Sequence, residues 1–180
     1  LRPYTEADIP ELLPLIGTRE VAATTLRIAH PYTEQDARAF LQLAKEPDKL
    51  WLAITLRSDG HQVGGIGLRI DKQHQHAELG YWLGVPFWGR GYATEAATEI
   101  LRYGFETLAL HRIFASHFRQ NPASGRILKK IGMSYEGCPA RASSEMGSVR
   151  RLRAVRDPTP GMGGTRVECQ MRWRCKSQSI

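Results

Sequence analysis

The stretch "ELGYWLGVPFWGRGYATEA", residues 78–96, decides the fold. Its first half alternates, with Leu79, Tyr81 and Leu83 against Glu78, Gly80 and Trp82, which is the period of a β-strand. Its second half puts Gly89 and Gly91 directly before a helical pattern in which Ala93, Ala96, Ala97, Ile100, Leu101, Gly104, Phe105 and Leu108 share one side. Strand, glycine loop and helix thus follow without a linker. Amides at a helix N-terminus converge on anions, glycine lets phosphate oxygens approach the main chain, and the helix dipole favours negative charge there. The loop is not a Walker loop, since no Gly-Lys-Ser/Thr follows, nor a dinucleotide fingerprint, since the third glycine is missing. Spacing alone leaves phosphate binding and a plain turn both open.

Outward from the loop the pattern stays regular. Upstream, residues 76–85 read as a third strand after "LWLAITL" (50–56) and "QVGGIGLRI" (62–70), with Asp59-Gly60 as a hairpin turn between those two. Thr5 with Asp8, and Thr33 with Asp36, are N-cap pairs opening two helices, one carrying Ile9, Leu12, Leu13 and Ile16, the other Ala37, Phe40, Leu41 and Ala44. Between them "REVAATTLRIAHP" is a connection with a short helical turn. Downstream, "RIFASHF" (112–118) is a strand, and "NPASGRILKKIG" is a helix with Asn121 at the N-cap, Pro122 at its first position and Gly132 past its end. The class is α/β, of the α+β kind, with a mostly antiparallel sheet flanked by helices.

At 180 residues and 42% hydrophobic content the chain suits one domain with a real core. No apolar run approaches the roughly 18–20 residues of a membrane span, and "LRPYTEADIP" has neither a basic nor an apolar leader region, so the sequence reads as soluble and cytoplasmic. Cys138, Cys169 and Cys175 lack metal-ligand spacing and read as free thiols, with no metal. The charge of +7 is uneven: residues 1–138 carry 16 Lys+Arg against 15 Asp+Glu, and residues 139–180 carry 9 against 3. The body is nearly neutral and the tail strongly basic, which argues against a nucleic-acid-binding body.

The stretch 78–96, followed by "NPASGRILKKIGMSYEG", resembles the GNAT superfamily of acetyl-CoA-dependent N-acetyltransferases, in its RimJ/RimL-type branch, over residues 1–138. The resemblance implies the GNAT acyl-CoA N-acyltransferase fold and acetyl-CoA as cosubstrate. It places the pantetheine arm along Leu83 to Val85 and the pyrophosphate on the amides of Gly89, Arg90, Gly91, Tyr92 and Ala93, with Trp88 beside them. Pro86 stands where the family's loop pattern has Gln or Arg, a mild departure because amides do the cradling. Asn121 resembles the family's pantetheine-binding asparagine, and its role as an N-cap explains it equally.

Amine acetylation needs an acceptor for the amine's proton and a donor for the leaving thiolate. Many relatives place a tyrosine seven residues after the asparagine, where this chain has Leu128; Ser124 resembles the serine proposed for that role in RimL-like enzymes. Glu78 is the candidate base, against an ordinary solvated strand glutamate. His74 and His76 lie in a polar turn and read as surface residues, and Trp82 and Trp88 as packing. The acceptor is an amine, either a protein N-terminus such as that of a ribosomal protein or a small molecule; no membrane or specific nucleic acid is implied, and the chain is a monomer or homodimer.

The family's domain closes with two more antiparallel strands, whereas residues 139–180 carry prolines and glycines there, so the C-terminal strands are expected to be disrupted. Read one nucleotide later with suitable codons, residues 139–162 yield a translation resembling the usual end of the family, which points to a displaced frame beginning near Cys138. A genuine basic extension is the alternative. With it goes a second functional reading, a CoA-binding or ribosome-interacting module docking its tail on RNA phosphates.

Overall fold

The computed structural model describes residues 1–137 and 149–155. Its elements are β1 (Arg2–Pro3), α1 (Ile9–Ile16), α2 (Arg19–Thr24), α3 (Glu34–Leu43), β2 (Lys49–Thr55), β3 (Gln62–Asp71), β4 (His76–Leu83), α4 (Tyr92–Glu106), β5 (Arg112–Phe118), α5 (Pro122–Lys130), β6 (Ser134–Gly137) and β7 (Val149–Val155). The seven strands form one sheet in the order β1-β2-β3-β4-β5-β7-β6. All neighbours are antiparallel except β4 and β5. The expected class holds, a GNAT fold with a mixed sheet between helices.

Local chemistry sets the helix starts. Thr33 Oγ1 accepts the Asp36 amide and the Asp36 carboxylate accepts the Thr33 amide, a capping box that opens α3. Before α1, the buried Asp8 accepts the Thr5 amide at 2.7 Å and two bonds from the Arg2 guanidinium. Two apolar cores occupy opposite faces. Ile66, Leu68, Leu79, Ile100, Phe105 and Ile113 pack under α4, while Leu12, Ile16, Val21, Leu41 and Trp82 pack under α1 and α3.

The glycines of "QVGGIGLRI" have a role that only register reveals. Trp51, Gly67 and Gly80 stand in one row across three strands, and the Trp51 ring occupies the space that Cβ atoms on both glycines would take, with Cη2 3.2 Å from the one on Gly80. Trp82 and Tyr4 cover Gly65 in the same way. Strand glycine here marks close approach by an aromatic ring.

One strand is added to the expected set and one expectation is corrected. β1 is an added edge strand, and β7 forms inside the segment expected to have lost its closing strands, pairing with β5 along its whole length and with β6. In β7, Leu152 and Ala154 are buried between the less buried Arg151 and Arg153. Glu136 of β6 pairs with Arg153 at 3.3 Å and Arg112 at 2.5 Å, and the Arg151 guanidinium lies 4.8 Å from the Phe114 ring centroid. Neighbouring strands thus supply the partners that let an arginine-rich sequence pair as a strand. The remainder of the basic tail, the displaced-frame hypothesis there and all three cysteines lie outside the described residues. Among the described residues, no helix is long and apolar enough to cross a membrane.

Candidate active site

The parallel pairing of β4 with β5 runs from His76–Arg112 to Leu79–Ala115 and stops. Beyond it β4 keeps pairing with β3 to Leu83, and β5 with β7 to Phe118. The two strands therefore part at Gly80 and Ser116, leaving a gap within the sheet. A cavity of about 880 Å³ reaches this gap, bounded by α2 and α3 residues on one face and by α4 and α5 residues on the other.

The glycine loop stands at one end of the gap. Gly89 and Gly91 have φ of +75° and +90°, a region that favours glycine, and Gly91 is the N-cap of α4 with no side-chain cap. Among the described residues, the five successive amides of Gly89, Arg90, Gly91, Tyr92 and Ala93 have no hydrogen-bond acceptor. Such a run of free donors at a helix dipole's positive end is an anion cradle. Trp88 pins the loop, donating its indole N–H to the Leu83 carbonyl at 2.8 Å, and is 43% exposed where it lines the cavity. The Arg90 guanidinium lies 5.9 Å from the Phe87 ring centroid, adding positive charge beside the amides.

Across the gap, α5 presents Ser124. Asn121 Oδ1 accepts the Ser124 amide at 3.1 Å, while Asn121 Nδ2 donates to the Thr24 carbonyl at 3.4 Å and ties α5 to α2. Ser124 Oγ lies 2.7 Å from the Tyr81 hydroxyl, which also donates to the Ser124 carbonyl at 3.3 Å. Burial pushes the Tyr81 phenol up to about 12, so it stays a protonated donor across the ordinary pH range. Next to Ser124, Gly125 lies against His117, whose Nε2 is 2.9 Å from where a Cβ would be. His117 is 8% exposed, and its Nδ1 is 2.7 Å from the Phe118 carbonyl; since a carbonyl only accepts, Nδ1 carries the proton and Nε2 keeps its lone pair when the ring is neutral.

On the opposite face Glu78 stands in a charged row, Lys49–Arg69–Glu78, beside the Trp51–Gly67–Gly80 row. Glu78 Oε2 pairs with Arg69 and lies 3.7 Å from Arg27. Its Oε1 has no partner among the described residues, and Glu78 lines the cavity.

The structure brings Glu78, Leu83, Trp88, Gly89, Ala93, Asn121 and Ser124 to one cavity. His74 and His76 pair with Asp71 in the turn, His74 at 2.9 Å, outside the cavity lining. Trp82 is buried in the second core yet also lines the cavity, and Trp88 lines it too, so neither is only packing. Sequence spacing does not single out Arg27, Trp51, Arg69 or Tyr81. The three glycines of residues 64–67 were the available signal for a covering aromatic; the arginines and Tyr81 carry none.

A family model described as "Acetyltransferase (GNAT) domain" matches residues 1–134. The uncharacterized N-acetyltransferase YnaD of Bacillus subtilis (strain 168) is 37% identical over 107 residues, 59% of this chain and 62% of that protein, so the chain spans under two thirds of that relative. A GNAT-family acetyltransferase structure from Bacillus anthracis superposes with a TM-score of 0.76 at 24% identity, covering 86% of this chain and 92% of that one. Spermidine N-acetyltransferase from Vibrio cholerae, in complex with CoA and spermine, superposes with a TM-score of 0.74 at 18% identity, covering 86% and 93%. The parted strands, the amide cradle and the family match together place this chain in the GNAT acetyltransferase domain family.

Proposed function

We propose that the chain is an acetyl-CoA-dependent N-acetyltransferase of the RimJ/RimL type, acting in the cytoplasm on a primary amine by direct attack, without a covalent enzyme intermediate. The observation that carries this is the run of five acceptor-free amides at the mouth of the parted strands. Acetyl-CoA supplies an acetyl group activated as a thioester. The amides of Gly89 to Ala93 hold its pyrophosphate, and the edge of β4 that β5 leaves beyond Leu79 offers its remaining backbone groups, on the way to Leu83 and Val85, to an extended pantetheine arm. Glu78 Oε1 receives the proton that the attacking amine gives up and releases it to solvent, while Ser124 Oγ, held by Tyr81, donates a proton to the departing sulfur and regains one from solvent.

The test pairs two measurements, thermal stabilisation by acetyl-CoA and acetylation of an amine panel that includes peptide N-termini. Stabilisation with product supports the enzyme. Stabilisation without product favours the CoA-binding module, and neither result counts against both.

A further inference from the structure

We propose that the acceptor is a primary amine that carries a planar apolar group and an anionic group, and not a polyamine; this rests on the transferase reading above. The planar group is inferred from the Trp51 row. With Gly67 and Gly80 beneath it, the Trp51 ring lies close on the sheet, and Phe40 meets it edge-on with centroids 5.9 Å apart. Trp51, Gly80, Phe40 and Tyr32 all line the cavity, so its wall on this face is an aromatic corner. Such a corner receives a flat apolar group by offset or edge contact.

The anionic group is inferred from a charge census of the same face. Five charged side chains of the α2–α3 connection, α3 and the sheet line the cavity here: Arg27, Asp36, Lys49, Arg69 and Glu78. Asp36 is committed to the Thr33 hydroxyl and amide, and Lys49 to Glu46 and Asp48. That leaves two guanidiniums, Arg69 and Arg27, against the single carboxylate of Glu78, and both face its Oε2. The cluster is positive before an acceptor arrives. When Glu78 takes up the amine's proton the guanidiniums lose their counter-charge, and an acceptor carboxylate restores it. Arg27 is free to move to such a partner, since its side chain is 59% exposed and its contact with Glu78 is long at 3.7 Å. A second ammonium, as in a polyamine, meets two guanidiniums instead.

An aromatic α-amino acid has this chemistry, and so does a peptide whose aromatic first residue is followed by an acidic one. The experiment compares kcat/KM for L-phenylalanine, a Phe-Glu peptide, phenethylamine, L-alanine and spermidine, and measures binding of each to the CoA-loaded full chain by calorimetry. The expected result is a preference of roughly tenfold for L-phenylalanine or the Phe-Glu peptide over phenethylamine, with spermidine poorest. The better of the two carboxylate substrates identifies the source. Arg27→Gln is expected to erase that preference, and Trp51→Leu to erode the preference for phenylalanine over alanine. If turnover is nil, calorimetry decides: carboxylate-dependent binding lost in Arg27→Gln supports the inference, and no binding overturns it. A preference for spermidine, or equal use of phenylalanine and phenethylamine, overturns the acceptor class while leaving the transferase standing. Failure of CoA to bind overturns the transferase reading and this inference with it.

Discussion

Glu78 has one carboxylate oxygen held by two arginines and one without a partner among the described residues, the arrangement a base needs if it is to stay oriented and still accept a proton. Glu78→Gln is therefore expected to lower kcat by about 10²–10⁴-fold in steady-state assays, while stabilisation by acetyl-CoA persists; an unchanged kcat removes Glu78 from the mechanism. In the proposed mechanism Ser124 and Tyr81 form the donor side, and Tyr81→Phe should lower kcat more than it raises the KM for acetyl-CoA. Asp8 contributes to acid stability. Its carboxyl is held below the usual carboxylate range, first by hydrogen bonds from Arg2, so its contribution is fully present above an unfolded pKa of about 3.9 and is lost as pH falls through the lower folded value. Asp8→Asn should flatten the fall of Tm in that acid window, and an unaltered pH profile would contradict the assignment. That Glu78 and Ser124 stand at the cavity could be anticipated from the sequence, Glu78 from its place on the strand feeding the loop and Ser124 from its offset from Asn121. Arg27, Arg69 and Trp51 could not be, because their partners come from other strands and a loop.

The loop and α4 act as one element. Strand, glycine turn and helix could be read directly from residues 78–108, since positive φ, capping and period are local properties. Gly89 and Gly91 have open space where a Cβ would point, so substitution there acts through the backbone alone. Gly91→Ala is expected to cost about 1 kcal/mol of stability and to weaken acetyl-CoA binding more than it weakens the fold, read by melting with and without acetyl-CoA. Equal stabilisation of both proteins by acetyl-CoA would place the pyrophosphate elsewhere. In α5, Gly125→Ala should push against the His117 ring 2.9 Å away and displace Ser124, lowering both Tm and kcat. β7 was illegible for the opposite reason to the loop: its Leu152 and Ala154 alternate over too few residues, and Glu136 and Phe114, which accommodate its arginines, lie in other strands.

Over the whole molecule, the sheet that holds the two cores together is also what opens the site, because β4 and β5 each keep their outer partners when they part. Residues 1–138 are close to neutral and the basic excess belongs to residues 139–180, of which Arg150, Arg151 and Arg153 are built into the sheet through β7. The proposed displaced frame near Cys138 is decided by the gene itself: codons 136–142 with no displaced nucleotide relative to those of relatives would end that reading. The most direct measurement of the central claim is acetyl transfer by the intact 180-residue chain, followed as acetylated amine together with released CoA thiol. The account predicts equal amounts of both, growing with time and formed about 10²–10⁴-fold more slowly in Glu78→Gln; a folded chain, stabilised by acetyl-CoA, that forms neither product with any primary amine would contradict it.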